Sequence, residues 1–318
     1  MKKLFLSLVA MVMAIMSFAQ STLVATLSHG DDIKMFYGTY ALRDAHDAAE
    51  DGDVINLSGG YFYGPAITKA LSIRGVGVKG ELPTFIKNKM TINVPSKKNN
   101  HLSMEGCYLT DGFETTESLS NATFIKNIIW NAVLNGKTEN LQILDCDIYN
   151  FRISNDSCST SFINCWIDQF INYSQSMTSF INCWVDAYRN GGKEQSYHNA
   201  VLYNCIVNCI IYAETCTAYN CLGMGDYDVF RYYNAYNCTD LRVVDYSNIF
   251  IDGDTKNDLT DEVKEKYLGY DGTPVGMYGG PFPYNMTPTY PQITKMNVAS
   301  KTTADGKLSV EIEVSAAQ

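Results

Sequence analysis

Along most of this chain apolar and polar residues alternate in runs too short for helices, a pattern of short strands. The alternation repeats. SFINCW stands at Ser161 to Trp166 and again at Ser179 to Trp184, 18 residues on. Aligned on the residue before each cysteine, the rungs are Asn127-Ile128, Asp145-Cys146, Asn164-Cys165, Asn182-Cys183, Asn204-Cys205, Asn220-Cys221 and Asn237-Cys238, with Gly106-Cys107 one rung earlier. Successive spacings are 21, 18, 19, 18, 22, 16 and 17. Two before the Asn stand Ile125, Ile143, Phe162, Phe180, Leu202, Ala218 and Ala235. Two after the Cys stand Trp130, Ile148, Ile167, Val185 and Val207, fading to Gly223 and Asp240. Between them the residues are mixed, as outward positions would be.

The Asn slot breaks each strand. Asparagine and glycine reach the left-handed backbone region at low cost, so the slot predicts a sharp bend, and Gly106 within it supports a backbone reason. Stacked asparagines would also hydrogen-bond along such a row. A period near 18 is too short for a helix pair and lacks the leucine-rich pattern. Three short strands with bends use it up and return the chain about 4.8 Å along. The expected fold is all-β, a right-handed parallel β-helix solenoid in which the cysteines stack as small core residues.

A solenoid needs capped ends. Tyr40 to Glu50 reads as an amphipathic helix with Ala41, Leu42, Ala45, Ala48 and Ala49 on its apolar face and Thr39 as its cap. After the Asp51-Gly52 turn come strands at Val54 to Leu57, Ala66-Ile67 and Leu71 to Ile73. Past Asp240 the rungs fade. A charged helix is expected within Asp252 to Tyr267, then a Gly/Pro/Tyr-rich loop from Gly269 to Pro291. Ile293, Met296 and Val298 with Leu308, Val310, Ile312 and Val314 form a terminal hairpin around Asp305-Gly306. The expected divisions are 1–19 leader, 20–52 N-terminal strand and capping helix, 53–250 β-helix, 251–290 C-terminal capping region and 291–318 hairpin.

Composition adds the compartment. Lys2 and Lys3, the apolar run Leu4 to Met16 and Ser17-Phe18-Ala19 make a cleavable export signal, with Gln20 as the first mature residue. No other run reaches membrane length. Export places the mature protein in the periplasm, on the cell surface or outside the cell. Of 24 basic and 34 acidic residues the leader removes two lysines, leaving a net charge near −12, which argues against nucleic acid or an anionic membrane as partner. Ten cysteines in an exported chain would ordinarily suggest disulfides. Residues stacked in register point the same way and seldom meet disulfide geometry, so reduced, structural thiols are expected.

The segment ALRDAHDAAEDGDVINLSGGYF followed by ITKALSIRGVG resembles the opening of right-handed parallel β-helix proteins of the pectate-lyase-like superfamily. With the MKK…FAQ leader and DGTPVGMYGGPFP, the chain resembles exported β-helix proteins of Bacteroides-type bacteria. That resemblance implies the fold and leaves the function open, since the superfamily holds lyases, hydrolases, adhesins and structural members.

Candidate chemistry is sparse. Trp166-Ile167-Asp168 recurs as Trp184-Val185-Asp186 and is similar to a pectate-lyase W-I-D-H element, with Gln169 and Ala187 in place of the histidine. Asp168 and Asp186 on adjacent coils would stand about 5 Å apart, close enough to bind calcium or to act as a glycosidase pair. Tyr149 and Asn208 hold the flanking rungs, and Arg152 and Arg189 lie nearby. The plain alternative is a row of solvated turn residues. His29, His46, His101 and His198 are scattered, Cys205 and Cys209 offer no zinc pattern, and no nucleophile elbow, phosphate loop or dinucleotide fingerprint occurs. Trp166 and Trp184, and Tyr203, Tyr219 and Tyr236, repeat in outward slots and would suit sugar rings, or else simply suit strands. The expected function is binding of a glycan or surface partner without an assignable reaction, and no cofactor beyond calcium is implied. A polysaccharide lyase or glycoside hydrolase, or a structural, adhesin-like rod, are the alternatives.

Overall fold

The computed structural model describes residues 23–97, 99–186, 199–208, 215–224, 228–231, 233–241, 249–251, 258–298, 305–307 and 309–315. The segment expected to be an export signal, Arg189, His198 and Cys209 lie outside the described residues. The chain is an all-β parallel solenoid of about nine turns. Three sheets build it, two along its length and a third over its middle turns. The first opens with an antiparallel hairpin, Val24–His29 against Asp32–Tyr37, and Val24–His29 also pairs antiparallel with Val54–Leu57. From there the pairing is parallel, turn upon turn, to Asn234–Tyr236. A second sheet stacks from Gly60–Tyr63 to Thr239–Asp240, and a third from Met90–Thr91 to Phe170–Asn172.

Inward positions interlock between the sheets. Phe124, Ile143, Phe162, Phe180 and Leu202 form one buried file, Ile129, Ile148, Ile167, Val185 and Val207 another. The Phe162 and Phe180 rings stack at 5.1 Å, and Phe151 meets Phe162 edge-on at 4.9 Å. Such contacts fix the register, because a slip of one residue would turn every file outward.

The corner between the first and second sheets carries the repeat. Gly106, Asp145, Asn164, Asn182, Asn204, Asn220 and Asn237 all have φ between 50° and 69°. One rung differs from the sequence alignment. Lys126, at φ 55°, occupies the bend, and Asn127 occupies the inward cysteine slot. The true file neighbours are therefore Phe124 and Ile129, both buried, while Trp130 is half exposed.

The thiols do more than fill space. At the corner the residue after the bend turns its N–H inward, away from the sheet ladder. Cys183, Cys205 and Cys221 each donate that N–H to the Sγ of the next rung, at 3.5, 3.4 and 3.4 Å. Each Sγ in turn lies 3.2 to 3.3 Å from the carbonyl two residues back. Asn127 performs both tasks with an amide: Oδ1 accepts from Cys107 N at 2.9 Å, and Nδ2 donates to Met104 O at 2.8 Å. A slot filled equally by Cys and Asn requires a small side chain that can both donate and accept. Among the described residues no disulfide joins two cysteines.

The N-terminal plug is α1, Ala41–Ala48, shorter than expected. Tyr40 is its cap residue, without a side-chain bond, so the Thr39 cap is not formed. Ala41, Leu42, Ala45 and Ala49 are buried, Ala48 is exposed, and His46 takes a buried position instead. Lys69 Nζ closes the C-terminal end, donating to the carbonyls of His46, Asp47 and Ala49 at 2.7 to 3.0 Å, where cations favour the helix dipole. Beyond the solenoid, α2 spans Asp261–Lys266, and Gln292–Val298 pairs antiparallel with Val310–Ser315, as the expected hairpin requires.

Candidate functional site

The segment from Tyr267 to Pro291 does not cap the end of the solenoid. It runs back along the side as a strap, and the corner residues hold it. Asn164 Nδ2 donates to the carbonyls of Met277 and Gly279 at 2.9 and 3.0 Å. Asn204 O accepts from Gly276 N, and its Oδ1 from Tyr270 N at 3.2 Å. Three acidic side chains complete the attachment. Glu105 Oε1 accepts from Thr289 N at 2.6 Å, Asp147 Oδ1 from the Tyr284 hydroxyl at 2.7 Å, and Asp145 from the Asn285 N–H. Gly280 is obligatory here, since a Cβ would overlap the Asn182 side-chain amide and its φ is +81°.

The expected asparagine row is only partly a row. Asn237 Nδ2 donates to Asn220 Oδ1 at 2.6 Å, and at another corner Asn140 does the same to Asn121 at 3.0 Å. Between them, Asn164 spends its Nδ2 on the strap and Asn204 its Oδ1.

Under the strap lies a second apolar cluster, in which Val275, Met277, Tyr284 and Met286 cover Trp184, Ile206 and Leu222. Trp184 is 5% exposed, and Trp166 packs half-buried against the same cluster. The expected open tryptophan face is therefore covered, because the outward row of the second sheet is the strap's seat. Tyr203, Tyr219 and Tyr236 do line the surface. Their rings stack on one another, at 4.9 Å and 7° and then 5.0 Å and 12°, so ring faces are spent within the stack and edges point outward. Sugar stacking needs a face.

Asp168 and Asp186 fall in register, on the row with Tyr149 and Asn208. Both are half-buried, and Asp186 Oδ2 accepts from Asn208 Nδ2 at 3.2 Å. Arg152 stands on the third sheet with its guanidinium 5.5 Å from the Tyr173 ring centre. Among the described residues no three His, Cys, Asp or Glu side chains gather as a metal site. His29 pairs instead with buried Asp53 at 2.7 Å, which raises its pKa, and burial lowers that of His46.

What the strap creates is a groove of about 860 Å³ along the corner. Its floor is the outward slot just before each bend: Ile125, Leu144, Ile163 and Ile181, consecutive in register. Pro281, Phe282 and Pro283 form one wall, with Phe282 80% exposed. Beyond Ile181 the same file continues into Tyr203, Tyr219 and Tyr236. Seven rungs at this spacing extend about 29 Å. Beside the floor, Lys126 Nζ lies 4.0 Å from Asp145 Oδ2. Burial lifts the Asp145 carboxyl from its ordinary 3.8 to about 6, against the pull of Lys126 and of the Asn285 N–H.

In the sequence Leu144, Ile163 and Ile181 directly precede the bend residues, and Ile125 joins this file only because Lys126 is the bend of its rung. The strap that turns the file into a groove has no such mark in the sequence. In three comparisons, no family model, no curated protein and no solved structure matched the chain.

Proposed function

We propose that this is an exported β-solenoid that binds a periplasmic or extracellular partner along the corner groove, without a reaction we can assign. The groove itself carries the reading: an apolar floor of four in-register residues, walled by an exposed Phe282 and leading into a tyrosine file. Ligand sites are concave, mostly apolar and marked by a few polar groups, and Lys126, Asp145 and the corner asparagines supply those. Export rests on the Lys2-to-Ala19 leader. Membership of the pectate-lyase-like superfamily, in the form exported by Bacteroides-type bacteria, is the finer assignment, supported by the quoted opening segments together with the parallel coils.

Glycan binding has the tyrosine file in its favour, Tyr236 being 55% exposed at the end of the stack. The enzyme alternative has Asp168 and Asp186 on adjacent turns. One experiment separates them. The mature protein and its Ile163→Arg variant are screened for ligand retention on a glycan array and on immobilised protein ligands, alongside assays for new reducing ends and unsaturated uronates. Retention without turnover, lost in Ile163→Arg, is the expected result. Turnover that survives Ile163→Arg and disappears in Asp168→Asn with Asp186→Asn would overturn the reading in favour of the enzyme.

A further inference from the structure

Asn182 and Asn204 sit on neighbouring rungs, both line the groove, and they are 3% and 1% exposed. Asn182 Oδ1 and Asn204 Nδ2 have no hydrogen-bond partner among the described residues. By contrast Asn164, one rung earlier, gives both amide hydrogens to strap carbonyls. The two asparagines that line the groove thus carry one orphaned acceptor and one orphaned donor, on rungs about 4.8 Å apart along the solenoid. Each unpaired buried group costs roughly 1 to 3 kcal/mol, so a ligand that pairs both regains what the free protein forgoes.

We infer that the groove takes an extended peptide segment, with Asn182 accepting a backbone N–H, Asn204 donating to a backbone carbonyl, and apolar side chains seated on Ile163 and Ile181. This rests on the groove being the binding site. In an extended chain the N–H and C=O of one residue point to the same side, matching an acceptor and a donor on one wall. Side chains leave an extended chain roughly at right angles to its hydrogen-bonding edges, so with one edge on the wall an alternate set of them meets the aliphatic floor. A sugar chain fits less well. Its hydroxyls would find no partner over Ile125, Leu144, Ile163 and Ile181, and the tyrosines offer it edges. The acidic residues Asp145 and Asp271 at the rim favour neutral or basic peptides over acidic ones. The two side-chain amides lie where strap glycines cross the corner, Gly269 against Asn204 and Gly280 against the amide nitrogen of Asn182. A small backbone shift at these glycines, with no side chain to displace, opens them to the groove.

The test is selection from a displayed library of random linear dodecapeptides on the mature protein, with a glycan array in parallel. Affinities of retained peptides are then measured by fluorescence anisotropy against wild type, Phe282→Ala and Asn182→Gly. Phe282 is exposed, so its truncation spares the fold. Glycine keeps the left-handed bend while removing the amide. Retained peptides should be rich in alternating aliphatic residues and should weaken about tenfold with either substitution. Peptides indifferent to both variants overturn the inference. Glycans retained in a Phe282-dependent manner, with no such peptides, overturn the peptide assignment and leave the groove standing. No ligand of either kind that responds to Phe282→Ala sinks both.

Discussion

Replacing Cys205 distinguishes a thiol that fills space from one that serves the backbone. In the structure its Sγ accepts the Cys183 N–H at 3.5 Å and lies 3.2 Å from the Tyr203 carbonyl. That carbonyl also receives the Asn182 N–H at 3.0 Å, so losing the thiol leaves it paired. The Cys183 N–H has no such second partner in the ladder. Valine at 205 fills the slot but orphans this buried donor, at a cost of about 1 to 3 kcal/mol, with a further crowding term of similar size. Alanine orphans the same donor and adds a small cavity. Serine keeps an acceptor and a donor on a shorter arm, and about 1 kcal/mol is expected, the size of one ordinary hydrogen bond. Urea unfolding of the mature protein, followed by far-ultraviolet circular dichroism, should therefore rank serine mildest, with alanine and valine both worse. If valine equals or betters serine, the cysteines are apolar filler and the hydrogen-bonding account is wrong.

Three further outcomes follow from named groups. Burial pushes the Cys107 thiol up to about 12 and Cys216 up to about 11, so neither should be alkylated at neutral pH until the protein is unfolded; mass spectrometry of non-reduced protein showing linked rungs would contradict this. Tyr284→Phe removes a buried hydroxyl from Asp147 and should cost about 1.5 to 3 kcal/mol, the range for a bond to a charged group. Limited proteolysis should then cut the strap first, and an unchanged digestion pattern counts against the anchor. Because Asp145 binds its proton more tightly folded than unfolded, its own contribution to stability should fall as pH rises from about 4 to about 6, so stability relative to Asp145→Asn should decline over that range. Parallel pH profiles for wild type and Asp145→Asn refute the assignment.

The solenoid was legible because each turn repeats one local problem. A left-handed bend needs Asn, Asp or Gly, and alternation on either side needs an inward file. Lys126 is illegible for the same reason: lysine is not a bend residue, so the neighbouring Asn127 aligns in its place and the rung shifts by one. Asn127 then showed what the cysteines do. The strap was illegible since its anchors are remote. Tyr284 and Asp147 are 137 residues apart, Thr289 and Glu105 184 apart, and neither pair leaves a periodic trace. Without the strap, Trp166 and Trp184 read as an open face and the aliphatic slot as ordinary strand surface. The groove exists only where local repeat and distant segment meet.

The most direct test is a crystal structure of the mature protein with the tightest ligand from either screen. The account predicts density along the Ile125, Leu144, Ile163 and Ile181 file, beneath Phe282 and within hydrogen-bonding reach of Asn182 and Asn204. Density on the Asp168 and Asp186 row, with the groove bare, would contradict it.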